Sequence, residues 1–220
     1  MAHQYHCIAA IDNTFPTPYL QQPFRFGVDY IVHSTTKYLN GHGNGISGVL
    51  VGSDIEFMKT RMWEMMKLIG SNGNPFDAWL THNGMKTLAL RMDRHCANAM
   101  ALASFLEGHP AVSRVNYIGL ESHPHHDIAQ RQMRDFGGML SFELKGGLEA
   151  GVEMMRRIKF CTLAPTLGDV DTLILHPASM SHINIDREIR LRNGITDGLI
   201  RVSVGIEDAE DIIGDVAQAL

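Results

Sequence analysis

Lys37 closes the run His33-Ser34-Thr35-Thr36-Lys37, which follows the mostly apolar Asp29-Tyr30-Ile31-Val32 and leads into the glycine-rich Tyr38-Leu39-Asn40-Gly41-His42-Gly43. An amine at the exit of a buried strand is partly desolvated, which favours the neutral, nucleophilic form that a Schiff-base lysine needs. Ser34 and Thr36 carry hydroxyls that can donate to a phosphate held close to that amine. Asp12 ends a second apolar run, Cys7-Ile8-Ala9-Ala10-Ile11, and a carboxylate there can pair with a protonated ring nitrogen. Arg201 sits inside Leu199-Ile200-Arg201-Val202-Ser203-Val204. Its guanidinium offers the two-pronged fork that binds a carboxylate such as that of an amino acid. Thr166, a polar residue in Leu163-Ala164-Pro165-Thr166-Leu167-Gly168, is placed to assist it.

Each of these residues also has a plainer use. Ser-Thr-Thr-Lys runs are commonly loops, Asp-Asn at a strand end commonly forms a turn, and a strand arginine can extend its head to solvent. Gly43-Asn44-Gly45-Ile46-Ser47-Gly48 matches G-x-G-x-x-G, but it leads into Val49-Leu50-Val51 instead of opening a helix. That context speaks for glycines that let the backbone turn beside the lysine, and against a dinucleotide site. His123, His125 and His126 lie in a Ser-His-Pro-His-His-Asp loop without a helical i, i+4 pair, so an exposed loop is expected there and no metal site. His95 and Cys96 fall on a helix and are expected to pack.

The elements that must carry these side chains follow from the pattern. Cys7–Ile11 and Asp29–His33 read as buried strands, with a spacing that suits a short crossover between parallel neighbours delivering polar residues at their carboxyl ends. Residues 46–51 form a third strand, after which Ser53 or Asp54 caps a helix running through Met66. Asn74-Pro75-Phe76-Asp77 starts a further helix, with a bend near Gly84 and a stop at Gly108-His109-Pro110. Beyond it, residues 112–118, 139–144, 172–175 and 200–204 are strand candidates, and 129–133, 148–158 and 208–220 are helix candidates. The organisation is α/β: residues 1–95 form one domain, and residues 96–220 form a compact α+β domain.

Bulk properties narrow the function classes. The formal charge of −5 over 220 residues shows no basic excess, which argues against a nucleic-acid partner. Cys7, Cys96 and Cys161 are odd in number and widely spaced, the pattern of a reducing compartment such as the cytoplasm. No apolar run reaches the length of a membrane span. Thirteen methionines is a high count. The helical group Met58, Met62, Met65 and Met66 is expected to be core or subunit interface.

Several segments together resemble the Cys/Met-metabolism (transsulfuration) family of pyridoxal-phosphate enzymes. They are Ile11–Phe15, His33–Gly43, Gly84–Leu88, Arg91–Ala99, His176–His182 and Gly194–Gly205. The resemblance implies a type I, aspartate-aminotransferase-like fold, of which the chain holds a partial large domain and the small carboxyl-terminal domain. It implies pyridoxal 5′-phosphate as cofactor, Lys37 as its Schiff-base lysine and Asp12 as the partner of the pyridine nitrogen. It places Ser34 and Thr36 on the phosphate and Arg201 on the substrate carboxylate, with Thr166 where the family commonly has serine. The family is roughly twice as long, so the chain is expected to be its carboxyl-terminal half. The family's ring-stacking tyrosine, phosphate loop and partner-subunit tyrosine-arginine pair would lie elsewhere.

Within the family, Arg91–Ala99 and His176–Glu207 look most like its methionine γ-lyase branch. That implies elimination of methanethiol from a sulfur amino acid, leaving 2-oxobutanoate and ammonia, in a homotetramer. The region of Met66 and Lys67 departs from the Lys-Asp pair of methionine-specific members, so cystathionine lyase, cystathionine synthase and O-acylhomoserine sulfhydrylase activities stand as alternatives. A non-catalytic fragment is a further one.

Overall fold

The computed structural model describes residues 2–220. The chain divides into two compact units, one ending at Ala89 and the other running from Leu90 to Leu220.

The first unit is built on three strands, β1 (Ala10–Asp12), β2 (Tyr30–Ser34) and β3 (Gly48–Gly52), in the order β1-β2-β3. β1 and β2 are parallel, as the crossover length allows, with Ala10, Ile11 and Asp12 opposite Tyr30, Ile31 and Val32. β3 runs antiparallel, with His33 opposite Val49 and Ser34 opposite Gly48. The connection from β1 to β2 holds α1 (Thr17–Leu20) and a 3-10 turn over Pro23–Phe26. β1 is shorter than the apolar run suggested and begins later. Cys7 is exposed and Ile8 lies mostly in solvent, because an edge strand is paired on one side alone and residues 7–9 precede its ladder.

A helical run follows β3: α2 (Ile55–Phe57), a π-helical turn over Met58–Met62, and α3 (Trp63–Ile69). Asp54 is the cap, its Oδ1 accepting from Phe57 N at 2.9 Å. Met65 and Met66 are exposed and Met58 and Met62 half-buried, so this methionine group is not core within the chain. α4 (Pro75–Met85) starts where proline and Asn74 dictate, Asn74 Oδ1 accepting from Phe76 N at 2.8 Å. The helix breaks at Lys86-Thr87, just past Gly84, and α5 (Leu88–Glu107) resumes.

The second unit sets a five-stranded sheet against helices. Its strands are β4 (Val112–Asn116), β5 (Met139–Leu144), β6 (Thr162–Leu163), β7 (Leu173–Leu175) and β8 (Leu199–Ser203), in the order β4-β5-β8-β7-β6. All pairs are antiparallel except β6 with β7. The helices are α6 (His126–Gln132), α7 (Gly147–Arg157), α8 (Arg187–Arg192) and α9 (Ala209–Ala219). Strict alternation on β5 turns Leu140, Phe142 and Leu144 inward. They meet Ala99, Leu102 and Leu106 of α5, Met154 of α7, Ile200 and Val202 of β8, and Ile212 and Val216 of α9. Spacings of three and four on the helices and of two on the strands put each set on one face. β6 and α8 have no counterpart in the sequence pattern, because both are too short to show a period.

His95 and Cys96 pack, as their helix positions suggest: both are buried, and His95 Nδ1 lies 2.7 Å from Val204 O. Burial pushes the Cys96 thiol up to about 12 and the His95 imidazole down to about 4.

Candidate active site

In the first unit the ladder register decides which candidates share a face. Paired residues on neighbouring strands project to the same side, and successive residues alternate. Asp12 is opposite Val32, so Asp12, Val32 and Ser34 share one face. That face is open, Asp12 being exposed and Val32 42 % exposed. Ile31 and His33 point the other way and are buried. Asp12 Oδ1 accepts from Thr14 N at 2.9 Å, which is the turn expected of Asp-Asn at a strand end. Thr14 Oγ1 in turn accepts from Ser34 N at 2.8 Å and joins the two strand exits.

Lys37 is half-buried in the turn 35–40 that leaves β2. Its N–H donates to Ser34 O at 3.2 Å, and its carbonyl accepts from Gly41 N at 2.7 Å. Gly41 and Gly43 have φ of 71° and 61°, a left-handed backbone that glycine adopts without a Cβ clash. The turn is also backed by α4: a Cβ on Gly84 would stand 2.1 Å from Asn40 O. Thr36 is committed locally. Its Oγ1 donates to Ser47 O at 3.2 Å and accepts from Ser47 N at 3.0 Å.

In the second unit, Arg201 lies on the central strand β8, between Ser141 of β5 and Leu175 of β7. Its Nη2 donates to Thr166 O at 2.8 Å, and its Nε is buried with no hydrogen-bond partner. Burial lowers the guanidinium pKa, and no carboxylate among the described residues offsets that. The loop carrying Thr166 is fastened to β8 and its exit. Gly168 N donates to Ser203 Oγ at 2.8 Å, and Ile206 N donates to Val170 O at 2.8 Å.

Asp12, Ser34, Thr36 and Lys37 thus belong to the first unit, and Thr166 and Arg201 to the second. Sequence reasoning missed a partly buried network in the second unit. Arg190 Nη1 donates to Ile195 O and Thr196 O at 3.0 and 2.9 Å. Hydrogen bonds from Arg187 and Arg190 hold the Asp197 carboxyl below the usual carboxylate range. His176 Nε2 lies 2.8 Å from Asp197 O, so it must carry the proton, and Nδ1 accepts from Ser179 Oγ at 2.8 Å. A Cβ on Gly151 would strike that imidazole at 2.4 Å. The signal was the pair of arginines shortly before an aspartate. The contacts that give it meaning come from α7 and the turn after β7.

A family model described as "Cys/Met metabolism PLP-dependent enzyme" matches residues 1–220. The chain belongs to that family. An L-methionine gamma-lyase of Fusobacterium nucleatum subsp. polymorphum is 50 % identical over 213 residues, which are 97 % of this chain and 54 % of the relative. A cystathionine beta-lyase of Coxiella burnetii is 49 % identical over 220 residues, 100 % of this chain and 57 % of the relative. A solved cystathionine gamma synthase from Xanthomonas oryzae pv. oryzae, in complex with cystathionine, superposes with a TM-score of 0.94 at 44 % identity. It covers 99 % of this chain and 56 % of its own. The chain therefore has the α/β fold of these enzymes and spans about half the length of the curated relatives it matches.

Proposed function

We propose that this chain supplies cofactor-binding and substrate-binding parts of a pyridoxal-phosphate-dependent carbon–sulfur lyase of the methionine γ-lyase type. One observation carries the proposal: the β1–β2 register puts Asp12 and Ser34 on one open face, and the next turn holds Lys37. A carboxylate, a hydroxyl and an amine so arranged fit a group that has a basic ring nitrogen, a phosphate and an aldehyde. When bound, pyridoxal 5′-phosphate supplies an electron sink for charge developing on substrate carbon.

Lys37 would hold the aldehyde carbon and, once displaced by the substrate amine, carry protons at the substrate's Cα and Cβ. Asp12 would keep the ring nitrogen protonated. Ser34 would donate to the phosphate. Thr36 would join it by turning its proton away from Ser47 O. Arg201 would take the substrate α-carboxylate through its unpartnered Nε, with Thr166 fixing the guanidinium through its carbonyl. Loss of the γ-thiol, followed by hydrolysis, gives methanethiol, 2-oxobutanoate and ammonia. The names of the similar enzymes support carbon–sulfur chemistry and keep cystathionine as a rival substrate, and the departure at Met66 and Lys67 keeps O-acylhomoserine as another. A homotetramer in a reducing, cytoplasmic setting completes the proposal. The cysteines are free thiols, and no helix among the described residues is long and apolar enough to cross a membrane.

Treating the chain with pyridoxal 5′-phosphate and borohydride, then mapping peptides by mass, is the direct experiment. A pyridoxyl label at Lys37 is expected, absent in Lys37→Ala and strongly reduced in Asp12→Ala. No label at Lys37 would sink the proposal and favour a non-catalytic chain, a role to which the exposed Trp63, Leu68, Ile69 and Trp79 also point. On the assembled enzyme, failure to release methanethiol from methionine would move the substrate to cystathionine or O-acetylhomoserine.

A further inference from the structure

We propose that Ser203 is a positioning residue for Arg201: its hydroxyl holds the Gly168 amide, and so keeps the Thr166 carbonyl on one arm of the guanidinium while Nε stays open to a carboxylate. The proposal rests on the substrate role suggested above for Arg201.

Ser203 lies two residues after Arg201 on β8, so both side chains project to the same face of the sheet. The strand is paired on both sides there, Ser203 standing opposite Met139 of β5 and Leu173 of β7. Ser203 is 1 % exposed, and its Oγ accepts from Gly168 N at 2.8 Å. The plain use of that hydroxyl is to satisfy a buried amide. Its effect on the loop goes further, because two contacts run in step from β8. Arg201 donates to the carbonyl of Thr166, and Ser203 accepts from the amide of Gly168.

Thr166 is exposed, whereas Gly168 is buried. Pro165 has no N–H with which to fasten the loop. The backbone is tied down on either side of these residues. Ala164 N donates to Ile174 O at 3.3 Å, and Gly168 N donates to Ser203. The first anchor ends on backbone and the second on a side chain. Gly168 has a φ of 80°, a left-handed backbone that favours glycine. Loss of the Ser203 hydroxyl therefore frees the stretch 165–168, and with it the carbonyl that restrains Arg201. A guanidinium restrained before substrate arrives loses less freedom when it takes up a carboxylate.

Amide exchange and nitrogen relaxation of the Arg201 Nε–H, both on the chain itself, test the link without cofactor or substrate. In Ser203→Ala, Gly168 N–H should exchange about tenfold faster or more, and the Arg201 side chain should lose most of its order, while the β5–β8 ladder keeps its protection. Ser203→Thr, which keeps the hydroxyl, should retain both. Where either substitution opens the ladder, Gly168→Ala replaces it, loosening the same loop without touching β8, and Arg201 should again lose order. On the assembled enzyme, Ser203→Ala should raise KM for methionine about tenfold and leave kcat within about twofold, the pattern of lost binding. Mere loss of stability would lower the active fraction, and so kcat, at constant KM. Unchanged exchange at Gly168, an Arg201 side chain as ordered as in the parent, or a constant KM overturns the proposal. So does lost order in Ser203→Thr with the ladder intact. If methioninamide, which lacks the carboxylate, has the same KM as methionine in the unsubstituted enzyme, the substrate role of Arg201 falls. Exchange and Arg201 order then decide alone whether Ser203 fixes the loop.

Discussion

The two sheets of this chain are finished to different degrees. In the five-stranded sheet Phe142, Ile174, Ile200 and Val202 are completely buried, and three helices contribute to one core. In the three-stranded sheet Val32, Val49 and Val51 each leave about two-fifths of their surface in solvent. Two arginines repeat the contrast inside the second unit. Arg190 is buried among two carbonyls and Asp197, whereas Arg201 has the Thr166 carbonyl and an Nε with no partner. A completed hydrogen-bond set marks a residue that holds the fold. Arg201, half-buried, leaves its Nε open and is the less committed of the two.

The largest effect expected from this contrast comes from its packed side. Phe142→Ala should cost about 3–5 kcal/mol in urea unfolding of the second unit, since the cavity cannot close between β5 and its covering helices. Val32→Ala on the open sheet should cost under about 1 kcal/mol. Equal costs would erase the distinction between the sheets.

Asp215 gives a smaller and pH-dependent effect. Its carboxylate accepts from Lys159 N, Phe160 N and Cys161 N at 2.9, 2.9 and 2.8 Å. Burial alone would raise its pKa, but these three bonds outweigh burial and hold it below 3.8. A depressed folded-state pKa means that the contribution is complete above the unfolded value and is lost as pH falls through the folded one. Asp215→Asn should therefore lower stability by about 2–3 kcal/mol near neutrality. The gap to the parent should narrow in denaturation measured below pH 3.8. A constant gap across that range would show that the charge does not matter.

The smallest effect separates two glycines. Gly214 lies within α9 with open space around its missing Cβ, so Gly214→Ala should raise the melting free energy by about 0.5–1 kcal/mol. Gly84→Ala should lower it instead, because the Asn40 carbonyl occupies the space a Cβ needs. A gain at both positions would mean that α4 moves freely away from the turn carrying Lys37.

Much of the fold was legible because long periods survive in the sequence. The parallel β1–β2 pair, the caps at Asp54 and Asn74, the alternation of β5 and the helices α5, α7 and α9 all follow from local pattern. The start of β1, the π-helical turn over Met58–Met62 and the short α8 do not. Each depends on which neighbours are present to complete hydrogen bonds or cover a face. The methionine group shows the same limit, since helical spacing identifies an apolar stripe but not what covers it.

The amino-acid sequence by itself determined the family, and with it the identities of Lys37, Asp12, Ser34, Thr36, Thr166 and Arg201 as candidates, because those residues sit in extended motifs. It also suggested that β1 and β2 are parallel neighbours, through the spacing between them. Only the tertiary structure decided which side chains share a face and which arginine lacks an acid. Those outcomes turn on register and burial. Both arise when strands pair and water leaves, and neither is written in any single segment.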